Sequence, residues 1–459
     1  MNKRTRNIIL AVVGLQLIMI IGLLMLPSVV RAIPGRYRVA LQERSPFLSD
    51  ITEGVIDQVA PMVELPAPVQ VSAVATVDIN ALIVAQPTAV PTETPSPTAP
   101  AVPAEAEAAE PTPLPTEEPT ATPSPTPEPL PTAVTLADMG VIKQTFNNCG
   151  PANLTQVLNW YGSDITQETV AEYLKPNSED RNVSPWQIAD YVNQQTPGYN
   201  AIARSGGSME MIKQFVAAGY PVVVEKGYDL PESGWWGHYL TVYGYDDEKQ
   251  EMYSQDSYLG PWDGSGRTDS YAELEKYWQQ FNYTFYVVYK PEQQDEVAAI
   301  LGEDMFDDFK MWQHVAALAD REAKANPDDA IAMFNLGTAF TRMGELTGEQ
   351  QYYQAGAQAF DKSREIGLPP RMLWYQHMPY LAYWKVGRGQ DVLDLADATL
   401  ATQGGANVEE TYWYKGHVLA EQGDLFAAKS AYQSALVVNE NFYPAQISLD
   451  WVNSVLGGN

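Results

Sequence analysis

The sequence predicts two folded regions of different class, an α+β domain followed by an all-α domain of helical repeats. Three observations support this division. Residues 8–26 form one apolar run, residues 86–134 are dominated by Pro, Thr, Ala, Glu and Ser, and from about residue 292 mixed helix and strand signals give way to Ala-rich helical pairs. The predicted parts are a tail and transmembrane anchor (1–32), an unassigned juxtamembrane segment (33–85), a linker (86–135), the α+β domain (136–292) and the helical repeats (305–455).

Composition limits the function classes. With 459 residues the chain is long enough for two or three domains, and its net charge of −29 makes nucleic acid an unexpected partner. A single cysteine excludes an intramolecular disulfide and decides nothing about the compartment. No cofactor and no metal site are predicted.

The N-terminal apolar run is long enough for a membrane span. Residues 8–26 contain Gln16 as the only polar side chain, follow three basic residues, and would cover about 28 Å as a helix. A secretory signal usually has a shorter apolar core, although residues 30–32 offer a cleavage site. We therefore expect an uncleaved single-pass anchor. The short N-terminal tail and the large acidic remainder favour extracytoplasmic C-terminal domains, although arginines beyond the run compete with the basic N-terminus.

The Pro-rich stretch is predicted to be a disordered linker. Residues 86–134 contain neither aromatic nor basic side chains, and repeated X-Pro bonds exclude helix. Fully extended, such a stalk would reach on the order of 150 Å. The alternative is a docking site for a Pro-recognising module.

The sequence of residues 144–152, QTFNNCGPA, contains the only cysteine of the chain. Pro151 is typical of a first helical turn, and later apolar residues follow at helical spacing. The N–H groups and dipole of this helix would favour the Cys149 thiolate, which makes Cys149 a candidate nucleophile. The alternative is a buried structural cysteine.

A histidine and an aspartate further along supply candidate partners. His238 precedes a predicted strand at 239–245, and after a turn at 246–250 a second predicted strand contains Asp256. Neighbouring antiparallel strands can bring a His and an Asp side by side. Gln144, five residues before the cysteine, could donate to an oxyanion. Structural roles for His238 and Asp256 remain alternatives, and the turn residues at 246 and 247 are rival carboxylates.

These residues resemble a known family. Gln144, the CGPA segment from Cys149, the Gly237–His238 pair and Asp256 resemble the papain-like bacteriocin-processing cysteine peptidases and their stand-alone relatives, over residues 138–291. The resemblance implies a papain-like fold and a peptide or protein substrate. It also implies Cys149 as nucleophile, His238 as general base, Asp256 as its orienting residue and Gln144 as oxyanion donor.

The chain departs from the family pattern in two places. The glutamine often lies six rather than five residues before the cysteine, and Asp-Pro often stands where this chain has Asp256-Ser257. The chain also has no Walker motif and no set of transporter spans, so cleavage of double-glycine leaders is not implied.

Capping residues and apolar runs predict the elements of the α+β domain. Helices are predicted to begin after Thr166, Ser184, Ser208 and Ser270. Short strands are predicted at 221–224 and 284–289. The aromatic residues Tyr228, Trp235 and Trp236 either line a substrate cleft or simply pack.

The C-terminal region resembles tetratricopeptide repeats over residues 308–453. Gly344, Gly387 and Gly423 recur at intervals of 43 and 36 residues, and small residues at Gly337 and Gly416 would let helices approach closely. Such repeats usually bind a protein or peptide partner. The alternative is a helical cap that only stabilises the first domain.

Three interpretations remain. The first is a membrane-tethered extracytoplasmic cysteine peptidase with a helical-repeat recognition domain. The second is an inactive surface scaffold, against which the complete Cys, Gln, His and Asp set argues. The third is a papain-like cell-wall amidase, in which a further histidine commonly takes the position of Asp256.

Overall fold

The computed structural model describes residue 16 and residues 64–69, 78–84, 129–230, 234–402 and 404–457. These ranges form a mixed helix and sheet domain and a helical C-terminal region. The predicted order, a domain of helices and strands followed by a helical region, is confirmed. The predicted anchor at 8–26 lies outside them except for Gln16, and most of the predicted linker also lies outside. Among the helices in the described ranges, none is both long and apolar enough to cross a membrane.

One antiparallel sheet organises the first domain. In the described residues it has seven strands: β1 (Ala133–Thr135), β2 (Asn200–Arg204), β3 (Val222–Leu230), β4 (Gly234–Asp246), β5 (Glu251–Gln255), β6 (Arg267–Ser270) and β7 (Phe285–Tyr289). The spatial order is β2-β7-β3-β4-β5-β6. Strand β4 is the longest and pairs with β3, β5 and β1, so it is the main support of the site described below.

The folded domain begins earlier than composition suggested. The linker was predicted to extend to residue 135, but residues 133–135 form β1 and pair with residues 244–246 of β4. Strand β3 pairs with β4 only as far as Val242, so one edge of the last part of β4 is available to β1. Tyr245 adds a hydrogen bond from its hydroxyl to the carbonyl of Pro131.

Helices cover both faces of this sheet. Helix α1 (Ile79–Val84) precedes them in the chain, and they are α2 (Cys149–Trp160), α3 (Gln167–Leu174), α4 (Pro185–Gln195), α5 (Met209–Ala217) and α6 (Tyr271–Trp278). The side chains of β3 alternate between the faces: Val223 packs with α2, α3 and α4, whereas Val222 and Val224 pack with α5 and α6. The four predicted capping side chains each accept a backbone N–H in the first turn of their helix.

The C-terminal region is a succession of helices, each packed against the next. They are α7 (Gln294–Phe306), α8 (Asp308–Ala325), α9 (Ala330–Thr347), α10 (Gln350–Ile366), α11 (Met378–Lys385), α12 (Gly389–Leu400), α13 (Glu409–Glu421), α14 (Leu425–Val438) and α15 (Tyr443–Gly457). A Cβ on Gly337 would lie 2.7 Å from the Phe360 ring, and one on Gly416 would lie 2.4 Å from the Tyr432 ring. These glycines therefore allow α9 and α10, and α13 and α14, to pack closely.

The helical region packs directly on the sheet domain. One continuous apolar core contains Phe285 of β7, Trp312 of α8 and Phe340 of α9. A second core joins Trp235 of β4 to a 3₁₀ turn between α10 and α11, residues Pro370–Trp374. The helical region therefore lies beside the strand that holds His238.

Candidate active site

Cys149 is the first residue of α2, as the pattern of residues 144–152 predicted. Leu154, Val157 and Leu158 are fully buried and fix this helix against the sheet. Gly162 follows the helix with a positive φ of 95°, which suits a helix end. The first N–H groups of the helix have no intrahelical acceptor, so they and the helix dipole favour negative charge at Cys149.

His238 and Asp256 are brought together by β4 and β5. The distance between His238 Nε2 and Asp256 Oδ1 is 3.0 Å, and both side chains are buried. One detail of the prediction was wrong: Asp256 is not in the strand but directly follows its last residue, Gln255. There Oδ1 accepts the backbone N–H groups of Tyr258 and Leu259, over 2.8 and 2.9 Å, which hold the carboxylate towards the imidazole.

Tyr228 is a further partner of the aspartate. Its hydroxyl donates to Asp256 Oδ2 over 2.5 Å, and its ring lies 5.1 Å from the His238 ring. The sequence analysis offered Tyr228 only as a cleft or packing residue. The β3–β4 pairing provides the missing signal, because Lys226 lies opposite His238 and Tyr228 lies two residues further on the same face.

The thiol and the imidazole shift each other's pKa. Burial alone raises the pKa of the Cys149 thiol, but the hydrogen bond and charge of His238, with the charge of Lys175, outweigh burial and hold it below the ordinary value. Burial alone lowers the pKa of the His238 imidazole, whereas the charge and hydrogen bond of Asp256, with those of Cys149, raise it to about 9. Since Asp256 binds Nε2, the nitrogen available to the thiol is Nδ1.

The Asp256 carboxylate remains ionised in this setting. Burial raises the pKa of its carboxyl, but the charge and hydrogen bond of His238, the Tyr228 hydroxyl and the Leu259 N–H hold the pKa below its usual range. The directions of these pKa shifts favour a thiolate at Cys149 and an imidazolium at His238, beside an ionised Asp256. This is the charge state of an activated cysteine nucleophile.

Lys175 adds a buried positive charge that the sequence analysis missed. Its Nζ donates to the carbonyls of Asn147, over 2.8 Å, and Asp180, over 2.6 Å. These bonds hold the chain just before Cys149. A lysine at the end of a short helix has no distinguishing sequence pattern.

Gln144 belongs to a hydrogen-bond network beneath the site. Its backbone N–H donates to the Ser257 carbonyl, and its Oε1 accepts from the Ser257 hydroxyl, both over 2.9 Å. Asn153 Nδ2 donates to Ser257 Oγ over 3.2 Å and to the carbonyls of Cys149 and Tyr239. The departure from Asp-Pro at Asp256-Ser257 thus supplies a contact to Gln144.

The helical region contacts the part of β4 that directly precedes His238. A Cβ on Gly237 would lie 2.7 Å from the Tyr375 ring, and Asn182 Nδ2 donates to the Tyr375 carbonyl over 3.4 Å. Trp235 stacks on Phe281 with ring centroids 5.5 Å apart and is buried, so it serves packing. Trp236 is half-buried and contacts Trp374 edge-on at 5.8 Å.

The two rival carboxylates lie in the turn after β4. Asp246 accepts from Lys249, and Asp247 accepts from Lys213 and from the Tyr271 hydroxyl. Within the described residues, no group of three or more His, Cys, Asp or Glu side chains is arranged to hold a metal ion.

A match to a protein-family model supports the resemblance. Residues 136–286 match the family model described as the Peptidase_C39 like family. Among solved structures, a putative C39-like peptidase from Bacillus anthracis aligns with 18% identity and a TM-score of 0.28, over 34% of this chain and 98% of that chain. No curated protein matches the chain. The family match supports a cysteine peptidase domain at residues 136–286.

Proposed function

We propose, from the peptidase C39-like domain at residues 136–286, that this protein hydrolyses peptide bonds through Cys149, His238 and Asp256, with Gln144 as oxyanion donor. The observation that carries the proposal is the contact of His238 Nε2 with Asp256 Oδ1 at 3.0 Å. The Cys149 thiol lies near enough to His238 for the hydrogen bond and charge of His238 to offset the effect of burial on the thiol pKa. A nucleophile, a base and an orienting carboxylate in contact are the requirements of this chemistry.

The first step is attack of the Cys149 thiolate on the carbonyl carbon of the scissile peptide bond. A carbon–sulfur bond forms and the carbonyl electrons move to oxygen, giving a tetrahedral oxyanion. The backbone N–H of Cys149 and Nε2 of Gln144 are the proposed donors to that oxygen. Ser257 supports this role because it occupies Oε1 of Gln144 and leaves the amide N–H₂ group as the free end.

His238 transfers the protons. When the tetrahedral intermediate collapses, the imidazolium donates its proton to the departing amine and a thioester remains on Cys149. The neutral imidazole then takes a proton from water, which attacks the thioester and releases the carboxylic acid product. Asp256 keeps Nε2–H oriented and compensates the imidazolium charge in both steps.

The helical region is proposed to form one wall of the substrate cleft. Tyr375 lies against Gly237, the residue before His238, and Arg371 lies over the Trp236 ring at 4.3 Å. A substrate bound along β4 would contact side chains of both regions. Recognition of a protein or peptide by the helices would then occur next to the scissile bond.

The membrane anchor is proposed from the sequence. An apolar run of 19 residues at 8–26 supports a single span, with the peptidase domain outside the cytoplasm. A topology reporter fused after residue 60 tests this. Reporter activity confined to the cytoplasm would contradict the orientation.

Alkylation of the single cysteine tests the activated nucleophile without knowledge of the substrate. Because Cys149 is the only thiol, iodoacetamide labelling of the native protein reports on it alone. We expect the labelling rate to follow a pKa below the free-cysteine value of about 8.5. Cys149→Ala should abolish labelling and hydrolysis but leave the fold intact, and Asp247→Asn serves as a charge-matched control.

Two results would oppose the proposal. A native thiol that does not react, or that titrates like a free cysteine, would favour the inactive scaffold. Release of cell-wall fragments, with no cleavage of a peptide library, would favour the amidase.

A further inference from the structure

Two short segments upstream of the Pro-rich stretch lie on the helical region. Residues 64–69 contact α10 and α12, and helix α1 (Ile79–Val84) packs on α8. Leu82 of α1 is 4% exposed within the main core, and Lys324 Nζ donates to Asn80 Oδ1 over 3.0 Å. Two parts of the segment left unassigned in the sequence analysis, residues 64–69 and 78–84, therefore have specific contacts with the folded body.

The contacts of residues 64–69 are directed at their backbone. Arg364 donates from Nε, over 3.1 Å, and from Nη2 to the carbonyl of Pro66. Asp391 Oδ1 accepts the N–H of Val69 over 3.0 Å. One carbonyl and one N–H three residues apart are thus bound by two side chains of opposite charge.

The arginine and the aspartate form a buried pair. Arg364 Nη1 donates to Asp391 Oδ1 over 2.8 Å, and the side chains are only 2% and 1% exposed. Arg388 binds Asp391 Oδ2 over 2.9 Å. Buried charged groups require hydrogen-bond partners, and Pro66 and Val69 supply two of them.

An apolar cluster lies beside this pair. Leu65 is half-buried and packs against this cluster; together with Phe360, Leu368, Leu373 and Leu395 it encloses a small pocket beside Arg364. Ala67, two residues further on, is exposed. Prolines at 66 and 68 restrict the segment before it binds, which reduces the entropy cost of ordering it.

We infer that the helical region contains a binding site for an extended Leu-Pro-x-Pro-Val segment, and that residues 64–69 of the same chain occupy it as an internal strap. The Arg364–Asp391 pair binds the backbone, and the apolar cluster beside Leu65 selects the side chain. This site is separate from Cys149 and does not depend on catalysis.

The strap alters the topology expected from composition. The described segments on either side of the Pro-rich stretch, residues 78–84 and 129–135, both contact the same folded body. With the proposed membrane anchor, on which this consequence rests, only residues 33–63 separate the anchor from the enzyme.

Cleavage of the full-length protein within the Pro-rich stretch tests the strap. A recognition sequence for a site-specific protease is inserted between Ala104 and Glu105, and the cleaved protein is diluted and fractionated by size. We expect the N-terminal fragment to remain with the enzyme. Leu65→Asp should weaken the association at least about tenfold, because an apolar side chain is lost from the apolar cluster, whereas Ala67→Asp adds the same charge at an exposed position and should retain it.

The outcomes are distinct from those for catalysis. Separation of the wild-type fragments, or equal retention of both variants, would overturn the strap, whether or not Cys149 is reactive. Before cleavage, a mixture of tagged and untagged copies tests whether the segment comes from the same chain. Co-purification of the two copies, lost with Leu65→Asp, would replace the internal strap by an exchange between chains.

Discussion

The Ser257 hydroxyl donates a hydrogen bond to Gln144 Oε1 over 2.9 Å, across 113 residues of sequence. The same two residues are joined by the Gln144 N–H and the Ser257 carbonyl. Because Ser257 directly follows Asp256, one turn of the chain holds both the carboxylate that orients His238 and the proposed oxyanion donor. This link couples two parts of the site that are assigned separate roles.

Removal of the Ser257 hydroxyl should misorient the Gln144 amide. For Gln144→Ala we expect turnover to fall about 10²–10³-fold, the usual effect of losing one oxyanion donor. For Ser257→Ala we expect a smaller loss, about fivefold to tenfold, because a net hydrogen bond contributes about 1 kcal/mol. The measurement is kcat on a cleaved peptide.

The matched control is Ser254→Ala. Ser254 is also buried, and its Oγ has no hydrogen-bond partner within the described part of the chain, so the rate should stay unchanged. If Ser257→Ala were as active as the wild type while Gln144→Ala were impaired, the Gln144 amide would be oriented by something other than Ser257.

Much of the site followed from local patterns. Pro151 and the spacing of the apolar residues predicted that a helix begins near Cys149. The pattern of strand, turn and strand after His238 predicted its contact with Asp256. Tyr228, Lys175 and Asn153 were missed as site residues because their roles depend on tertiary pairing. Nothing in the sequence near Asn153 indicates that its amide bridges the Cys149 and Tyr239 carbonyls.

The fold was predicted best where signals are local. The helix caps at Thr166 and Ser184 depend on nearby backbone groups, so sequence reveals them. Strand β1 was assigned to the linker because its pairing to β4 depends on an edge left open by a distant strand. Residues 64–69 were left unassigned for the same reason, since their partners on α10 and α12 lie about 300 residues away.

Loss of the Asp256 charge should slow the reaction without unfolding the domain. Asp256→Asn keeps the shape, but the amide cannot compensate the imidazolium charge and can favour the wrong tautomer. We expect turnover to fall by about 10²–10⁴-fold. Asp247→Asn, in the turn, should leave the rate near that of the wild type. Inactivity of the turn variant together with an active Asp256→Asn would assign the orienting role to the turn.

The pH profile should report the charged pair. The imidazolium must be present to protonate the leaving amine, and the pKa of His238 is raised to about 9, so kcat/KM should fall as pH rises through about 9. At low pH the activity should fall as the thiolate is protonated, below the ordinary thiol pKa. These are the apparent pKa values of the pair.

The pH profile of Asp256→Asn tests whether His238 causes the loss of activity at high pH. The charge of Asp256 and its hydrogen bond raise the pKa of His238, so removing that charge should move the alkaline limb to lower pH. If the alkaline limb of the residual activity stayed at the same pH, it would report the titration of a group other than His238.

Gly237 should be indispensable for the contact between the sheet domain and the helical region. It precedes His238, and an added Cβ would lie 2.6 Å from the Phe281 ring and 2.7 Å from the Tyr375 ring, distances that side chains do not adopt. For Gly237→Ala we expect the free energy of unfolding to fall by about 1–3 kcal/mol, the usual cost of overpacking. Activity should fall as well, because the displaced ring of Tyr375 belongs to the proposed cleft wall.

Gly140→Ala is the control, since an added Cβ there meets no atom within 4 Å and its φ is not positive. Thermal unfolding and peptide cleavage measure the two effects. The cost of Gly237→Ala should be smaller in a Tyr375→Ala background than in the wild type, because the smaller side chain relieves one of the two close approaches; an equal cost in both backgrounds would contradict the contact with Tyr375.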